Sequence, residues 1–146
     1  MSEAALPATL AEIRDDFLAV EPKDRLLLLL EFSEELPELP ERYREHPDLL
    51  ERVEECQAPV FIFAEVTPEG GFALCATAPE EAPTTRGFAS ILVQGLSPLS
   101  PAEVLAVPND FPFMIGLTEA VSPLRMRGMV GMLSRIKRLV REQLPA

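Results

Sequence analysis

The side chains in this sequence that could act as nucleophiles or proton carriers near neutral pH include two cysteines, Cys56 and Cys75, and one histidine, His46. A deprotonated thiol is a nucleophile toward other sulfur atoms, and an imidazole titrates near neutral pH. His46 lies in the charged segment Arg-Glu-His-Pro-Asp, which is typical of a solvated surface residue. The sequence has no glycine-rich phosphate loop, no Gly-x-Ser-x-Gly motif and no cysteine pair at zinc-binding spacing. The two cysteines therefore remain as the main candidates.

The surroundings of the two cysteines differ. Cys75 lies in Phe-Ala-Leu-Cys-Ala-Thr, a strand pattern in which a cysteine behaves as a small buried hydrophobe. Cys56 follows the charged stretch 51–55 and precedes an apolar strand, so we expect it in a loop that another thiol can reach. Glu54 and Glu55 disfavour its thiolate, so an unaided Cys56 would be mostly protonated, with its pKa near the reference value of about 8.5. It would need a nearby cation, a helix N-terminus or a partner to become reactive.

The net charge of −11 is unevenly distributed along the chain. Residues 1–60 hold 16 acidic and 6 basic residues, whereas residues 121–146 hold 1 acidic and 6 basic residues. Nucleic acids and anionic lipids bind clustered Lys and Arg, so we predict no nucleic-acid binding and expect the basic end to fold against the acidic body.

The apolar runs and the first residues of the chain predict where in the cell the protein is located. The longest uninterrupted apolar run is five residues, which predicts no transmembrane span and no membrane partner. The first ten residues, MSEAALPATL, have neither the basic region nor the apolar region that a secretory signal contains. Together with the low cysteine count, this predicts a cytoplasmic protein in a reducing environment.

The first third of the chain is predicted to be helical. Thr9-Leu-Ala-Glu12 has the form of a capping box that opens a first helix. Pro22 suits the first turn of a second helix, which should run to about Leu36. The five consecutive leucines at 26–30 predict that this helix is buried on more than one side, and residues 41–45 predict a short helical piece.

A small sheet is predicted in the middle of the chain. Residues 60–66 and 72–77 are rich in β-branched and aromatic residues and flank the turn residues Thr-Pro-Glu-Gly-Gly. This pattern predicts an antiparallel hairpin at about 60–77. A short strand at about 51–55 would make a sheet of three strands.

The last third is again predicted to be helical, through four capping signals. Thr84 or Thr85 would cap a helix to about Gly95, and Ser100-Pro-Ala-Glu103 is a second capping box. Asn109-Asp110 would cap a short turn, and Ser122-Pro123 opens the last helix. The last helix has one apolar stripe, formed by Met129, Met132, Leu133, Ile136 and Val140. Basic residues are expected to cover its other side, namely Arg127, Arg135, Lys137, Arg138 and Arg141. Helices, then a small antiparallel sheet, then helices indicate an α+β fold.

Taken over its whole length, the sequence resembles the SufE family, the sulfur-acceptor partners of cysteine desulfurases in iron–sulfur cluster assembly. The resemblance rests on the order of several segments. They are Asp-Arg-Leu-Leu-Leu-Leu-Leu-Glu-Phe at 24–32, Leu-Pro at 36–37, Val-x-x-Cys-Gln at 53–57, Thr-Arg-Gly at 85–87, Pro-Ala-Glu-Val-Leu at 101–105, Gly-Leu at 116–117 and Ser-Pro-Leu-Arg-x-Arg-Gly-Met at 122–129. The resemblance implies a single SufE-like domain over residues 1–146.

For function, the resemblance implies that Cys56 accepts sulfur from the persulfide of a SufS-type pyridoxal-phosphate cysteine desulfurase. The protein would stimulate that enzyme and pass the sulfur to a cluster scaffold, as a relay partner and not as an enzyme by itself. It would need no cofactor and no metal of its own. Arg125 occupies the family's arginine position, Gln57 would position the loop, and the strip around Cys56 and Arg86 would contact the desulfurase.

The sequence also departs from the family pattern around the cysteine. Glu55 and Ala58 stand where the family usually has Gly and Ser, and Phe61 stands where it usually has Trp. These changes alter the flexibility and hydrogen bonding of the loop. Glu81 is a loose match for the acidic residue that the family tends to carry before the basic helix start.

Two other functions are compatible with the same residues. The first is a non-catalytic adaptor that docks a desulfurase while its loop transfers sulfur poorly, which the departures at Glu55 and Ala58 favour. The second is a stand-alone thiol redox enzyme, with Cys56 as nucleophile and Cys75 as resolving thiol. It would need a low pKa at Cys56 and a bridge between the two cysteines.

Overall fold

The fold consists of helices that precede and follow a small antiparallel sheet. The structure is a computed structural model, which describes residues 6–144 apart from the side chains of Arg42 and Pro47. The helices before the sheet are α1 (Ala8–Ala19), α2 (Arg25–Ser33) and α3 (Glu41–Arg44). The strands are β1 (Glu51–Arg52), β2 (Phe61–Val66) and β3 (Phe72–Thr77). The helices after it are α4 (Pro83–Leu96), α5 (Pro101–Ala106), α6 (Phe111–Met114) and α7 (Pro123–Gln143). The predicted α+β class is confirmed, while residues 1–5 and 145–146 of the predicted domain lie outside the described part.

The sheet has the strand order β1-β2-β3, with antiparallel pairing throughout. The hairpin of β2 and β3 lies where the sequence predicts it, and Phe63 is paired with Cys75 across it. The third strand is confirmed but short. After Arg52 the chain makes one more sheet-like contact, from the Val53 amide to the Val60 carbonyl at 2.9 Å, and then turns away into a loop.

The two faces of the sheet have different neighbours. Alternation along the strands turns one set of side chains toward the main hydrophobic core. This set includes Ile62, Ala64, Phe72, Leu74 and Ala76. Phe63 and Cys75 lie on the opposite face, where the Tyr43 ring packs 5.5 Å from the ring of Phe63. The two faces are therefore separated by the sheet itself.

Helix α4 lies at the centre of the packing, in contact with α1, α2, α7 and β3. Most of its residues from Gly87 to Leu96 are buried. Helix α7 packs against β2 and also contacts α5 and α6, and its predicted apolar stripe is buried throughout. Among the helices of residues 6–144, none is long and apolar enough to cross a membrane.

Two of the predicted helix caps are confirmed. Ser100 and Glu103 form the predicted capping box, and the Ser122 hydroxyl accepts a hydrogen bond from the Arg125 amide at 3.3 Å. These caps join residues three positions apart, so the sequence alone specifies them.

Three predictions about helix ends are wrong. Helix α1 begins at Ala8, after Pro7, and the Thr9 hydroxyl donates to the Gly95 carbonyl at 2.7 Å in place of capping α1. Helix α2 ends at Ser33, before Leu36. Helix α4 begins at Pro83 because Ala82 is its N-cap residue, so Thr84 and Thr85 lie inside the first turn.

Lys137 and Asn109 also differ from their predicted roles. Lys137 is buried, at 6% exposure, in place of covering the polar side of α7. Its ammonium group donates to the Val107 carbonyl and to Asn109 Oδ1, the latter at 2.7 Å. The Asn109 side chain therefore joins α7 to the connection between α5 and α6, and α6 begins without a side-chain cap.

The five leucines of α2 are not buried on more than one side, contrary to the prediction. Leu29 has 0% exposure, whereas Leu27 has 60% and Leu26 has 37%. Because α2 packs against α4 with one face, the turn of 100° per residue leaves part of the run on the surface.

This arrangement predicts very different costs for two neighbouring truncations. Leu29→Ala should lower the free energy of unfolding by about 2–5 kcal/mol, because it leaves a cavity between α2 and α4. Leu27→Ala should change it by no more than about 0.5 kcal/mol. Urea unfolding followed by circular dichroism measures both, and equal losses would contradict the packing described here.

Candidate functional site

Cys56 lies in the loop that connects β1 to β2, residues 53–60, which we call the cysteine loop. Val53 and Val60 are both at 0% exposure and fix the two ends of this loop in the core. The Cys56 amide donates to the Val53 carbonyl at 3.1 Å, which closes a turn just before the thiol. The thiol is buried, since Cys56 is only 7% exposed. The loop position is as predicted, but the resting thiol is poorly accessible.

Two glycines of α7 allow the cysteine loop to approach the helix closely. A Cβ atom on Gly128 would lie 2.9 Å from Cys56 Sγ, and a Cβ atom on Gly131 would lie 2.8 Å from side-chain carbons of Glu55. Both distances are shorter than real Cβ contacts allow. Any larger residue at these positions would push the loop outward, so these glycines form the surface on which the thiol rests. We call this surface the glycine face of α7.

Ion pairs from α7 to Glu55 of the cysteine loop and to Glu51 of β1 flank this contact. Arg135 donates from Nε to Glu55 Oε1 at 2.8 Å and from Nη1 to Glu51 Oε2 at 2.6 Å. Arg138 also donates to Glu51, and it pairs with Glu142 at 2.8 Å on the solvent side. Hydrogen bonds from Arg138 and Arg135 hold the pKa of the Glu51 carboxyl below its usual range, and Arg135 does the same for the pKa of Glu55. The predicted folding of the basic end against acidic residues is thus realised here.

The environment of Cys56 favours the neutral thiol. Burial raises the pKa of Cys56 to about 11, and the negative charge of Glu55 acts in the same direction. The Arg135 guanidinium opposes this increase in pKa without cancelling it. At neutral pH the resting thiol is therefore protonated and a weak nucleophile.

A cavity of about 230 Å³ adjoins Cys56. Its wall comes from the cysteine loop, the start of α4 and the N-terminal half of α7. The lining residues are Glu55, Cys56, Gln57, Ala58, Ala82, Thr85, Leu124, Arg125, Gly128, Met129 and Met132. Since helix N-termini carry partial positive charge, the starts of α4 and α7 and the Arg125 side chain act against the negative charge of Glu55 in this space.

The predicted site residues are brought together only in part. Cys56, Gln57 and Arg125 line the same cavity, and Gln57 and Arg125 are exposed. Arg86 does not line it; its guanidinium donates to the Ser33 carbonyl at 2.9 Å and to the Ala78 carbonyl at 2.6 Å. Glu81 is exposed next to Ala82 and is not part of the lining.

Cys75 lies away from this cavity. It is buried on the sheet face opposite the main core, and its sulfur contacts the Phe63 carbonyl at 3.7 Å. Cys56 lies on the core side, against α7. Within residues 6–144, no three side chains of His, Cys, Asp or Glu are grouped so that they could hold a metal ion.

Sequence reasoning missed Arg135 and the two glycines as parts of the site. A spacing signal was present, because Arg125, Gly128, Met129 and Met132 follow the i, i+3, i+4, i+7 pattern of one helix face. The partner of that face was not predictable, since Glu55 and Arg135 are 80 residues apart in sequence.

The burial of Cys56 predicts its titration. In the folded Cys75→Ser variant, the ¹³Cβ chemical shift of labelled cysteine should titrate with a midpoint near 11, because the folded state disfavours the thiolate. In urea the midpoint should return to about 8.5. A folded-state midpoint at or below about 9 would contradict the buried resting thiol, and circular dichroism at each pH checks that the chain stays folded.

Comparison with known proteins gives concordant results. The family model SufE, described as an Fe-S metabolism associated domain, matches residues 11–140. An uncharacterized SufE-like protein of Mycobacterium tuberculosis is 51% identical over 139 residues, which cover 95% of this chain and 96% of that protein. SufE-like protein 1, chloroplastic/mitochondrial, of Arabidopsis thaliana is 30% identical over 134 residues, covering 91% of this chain and 35% of that protein.

The fold has a counterpart among solved structures. The solution structure of a hypothetical protein from Thermus thermophilus matches with a TM-score of 0.82 and 37% identity, covering 94% of this chain and 97% of that chain. The order of the elements, the cavity around the loop cysteine and these matches lead to one assignment: the chain belongs to the SufE family of Fe-S metabolism associated domains.

Proposed function

We propose that this protein is a sulfur acceptor, which takes persulfide sulfur from a SufS-type cysteine desulfurase onto Cys56, stimulates that enzyme and relays the sulfur to an iron–sulfur cluster scaffold. The observation that carries the proposal is the cavity at Cys56, which the cysteine loop, Arg125 and the starts of α4 and α7 line together. The coarser link to Fe-S metabolism follows from the family.

The transfer is a thiol–persulfide exchange. The Cys56 thiolate attacks the outer sulfur of the donor persulfide, so a bond forms between Cys56 Sγ and that sulfur while the donor's S–S bond breaks. The donor cysteine leaves as a thiolate and takes up a proton, and Cys56 becomes the persulfide. No net oxidation or reduction occurs, so the step needs no cofactor on this protein.

The resting structure requires the cysteine loop to move before this reaction. The thiol is protonated and, at 7% exposure, packed against Gly128, which limits the access of a donor persulfide. When the loop leaves α7, the thiol regains solvent, and its pKa should fall toward the ordinary value of about 8.5. A desulfurase that draws the loop into its own pocket would therefore receive a more reactive thiol.

The same cavity suits the product of the transfer. Its volume of about 230 Å³ leaves room beside the thiol for one added sulfur atom. The persulfide would lie near the first turns of α4 and α7, whose partial positive charge acts against the negative charge of Glu55.

The other predicted site residues have different roles in this proposal. Arg125 is exposed at the cavity and would dock the desulfurase or stabilise sulfur anions, and Gln57 would help to position the extended loop. Arg86 would shape the start of α4, because its guanidinium already binds two backbone carbonyls. Glu81 would lie at the border of the docking surface.

The extent of the domain, its need for cofactors and the cellular compartment are also part of the proposal. We assign the whole sequence, residues 1–146, to one SufE-like domain that acts through a partner and needs no cofactor or metal of its own. A reducing compartment such as the cytoplasm fits this chemistry, since the transfer begins from a reduced thiol.

The two alternative functions differ in what they require of Cys56 and Cys75. A redox enzyme with Cys75 as resolving thiol would have to bring Cys75 around from the far face of the sheet, and it would start from a thiol whose pKa is raised. A docking-only adaptor makes no demand on Cys56 at all. It therefore differs from the sulfur acceptor only in whether sulfur arrives on the thiol.

The mass of the protein after reaction separates these functions. Incubation with a SufS-type cysteine desulfurase, pyridoxal phosphate and cysteine should add one sulfur atom, about 32 Da, to the wild type and to Cys75→Ser. Cys56→Ser should still bind the desulfurase but gain no sulfur. Intact-protein mass spectrometry without reductant reads both results.

Two outcomes would contradict the proposal. Binding without added sulfur on the wild type, while the desulfurase turns over, would support the docking-only adaptor. Sulfur on Cys75 alone would overturn the assignment of Cys56.

A further inference from the structure

We propose that Glu55 and Arg135 form a latch that positions Cys56 in its resting cavity and sets how often the thiol becomes accessible. The term latch refers to this one ion pair, with Arg135 Nε 2.8 Å from Glu55 Oε1. The inference rests on the proposed function for its role in sulfur transfer. Its test measures the thiol alone, without a desulfurase.

The latch joins a part of the site that must move to a part that stays in place. Glu55 directly precedes Cys56 in the cysteine loop, so it moves with the thiol. Arg135 is held independently, because its Nη1 also donates to Glu51 at 2.6 Å. Glu51 belongs to β1 and is paired with Ile62 in the sheet. Opening of the loop would therefore break the contact to Glu55 while the contact to Glu51 keeps Arg135 in position.

The latch lies close enough to Cys56 to influence the position of its thiol. The Glu55 side chain lies against Gly131, next to the contact of Cys56 Sγ with Gly128. Both contacts are made with one face of α7, so the ion pair to Arg135 holds Glu55, and with it the adjacent Cys56, close to that face. The pair also favours this position of the loop over others, because a hydrogen-bonded guanidinium prefers one distance and direction of the carboxylate.

The strength of the latch is suited to a contact that a partner must break. The side chains of Arg135 and Glu55 are 22% and 38% exposed, so solvent screens their attraction. Pairs of this kind change an equilibrium by a small factor, which we expect to be about two- to fivefold. A much stronger pair would keep Cys56 closed in the presence of a desulfurase.

The latch and simple electrostatics predict opposite effects for Arg135. Arg135 lowers the pKa of Cys56 through its charge, so its removal should make the thiol less reactive if charge alone mattered. If Arg135 acts through Glu55, its removal should release the loop and make the thiol more reactive. Arg135 is thus a positioning residue whose role can be separated from its charge.

The test is the rate of Cys56 alkylation by iodoacetamide, a neutral reagent, in the Cys75→Ser background at fixed pH. We expect Arg135→Gln to react about two- to fivefold faster than the background protein, and Arg135→Lys to recover part of the protection. Glu55→Asp keeps the charge beside Cys56 but withdraws the carboxylate, so it should also react faster. The double variant, Glu55→Asp with Arg135→Gln, should react no faster than the faster single variant, since both changes break one contact.

The matched control is Glu142→Gln. Glu142 pairs with Arg138 on the same helix at 2.8 Å and does not touch the cysteine loop, so this variant should react at the background rate. Urea unfolding midpoints check that faster reaction does not come from global unfolding. Slower alkylation of Arg135→Gln together with an unchanged rate for Glu55→Asp would overturn the latch, and additive effects in the double variant would overturn it as well.

Discussion

The site depends on one physical constraint, the close contact between the cysteine loop and the glycine face of α7. Cys56 Sγ and the Glu55 side chain occupy the space that Cβ atoms at Gly128 and Gly131 would fill. This contact removes the thiol from water and places it beside the cavity formed by two helix starts. It also brings Glu55 within reach of Arg135. The burial of the thiol, which is the main cause of its raised pKa, and the approach of Glu55 to Arg135 depend on the small size of these two glycines.

In the proposed role of a sulfur carrier, this constraint would give the thiol two properties that are needed at different times. While the loop is closed, burial keeps Cys56 protonated and protects it from unspecific reaction. Once the loop leaves α7, the burial that disfavours the thiolate is lost. The ion pairs at the margin of the loop are partly exposed and therefore weak, so a docking partner can break them. The rest of the fold supports this exchange by fixing both ends of the loop, at Val53 and Val60, in the core.

The parts of the structure that the sequence predicts well are those with local causes. The β2–β3 hairpin and the caps at Ser100 and Ser122 depend on residues within a few positions of each other. Thr9 matches the same local pattern as Ser100, yet its hydroxyl binds the Gly95 carbonyl, because the packing of α1 against α4 decides its partner. The same reason applies to Lys137, which is buried against Val107 and Asn109. Cys56, Gln57 and Arg125 could be placed at one cavity only by resemblance, and the pairing of Glu55 with Arg135 was not predictable, since it joins a loop to a helix face across 80 residues.

The most direct test of this account is a crystal structure of the protein in complex with a SufS-type cysteine desulfurase, the proposed partner. The account predicts that residue 56 lies outside its resting cavity and points into the partner, that Glu55 is separated from Arg135, and that Arg135 still contacts Glu51. A complex competent for sulfur transfer in which Cys56 Sγ remains packed against Gly128 would contradict it.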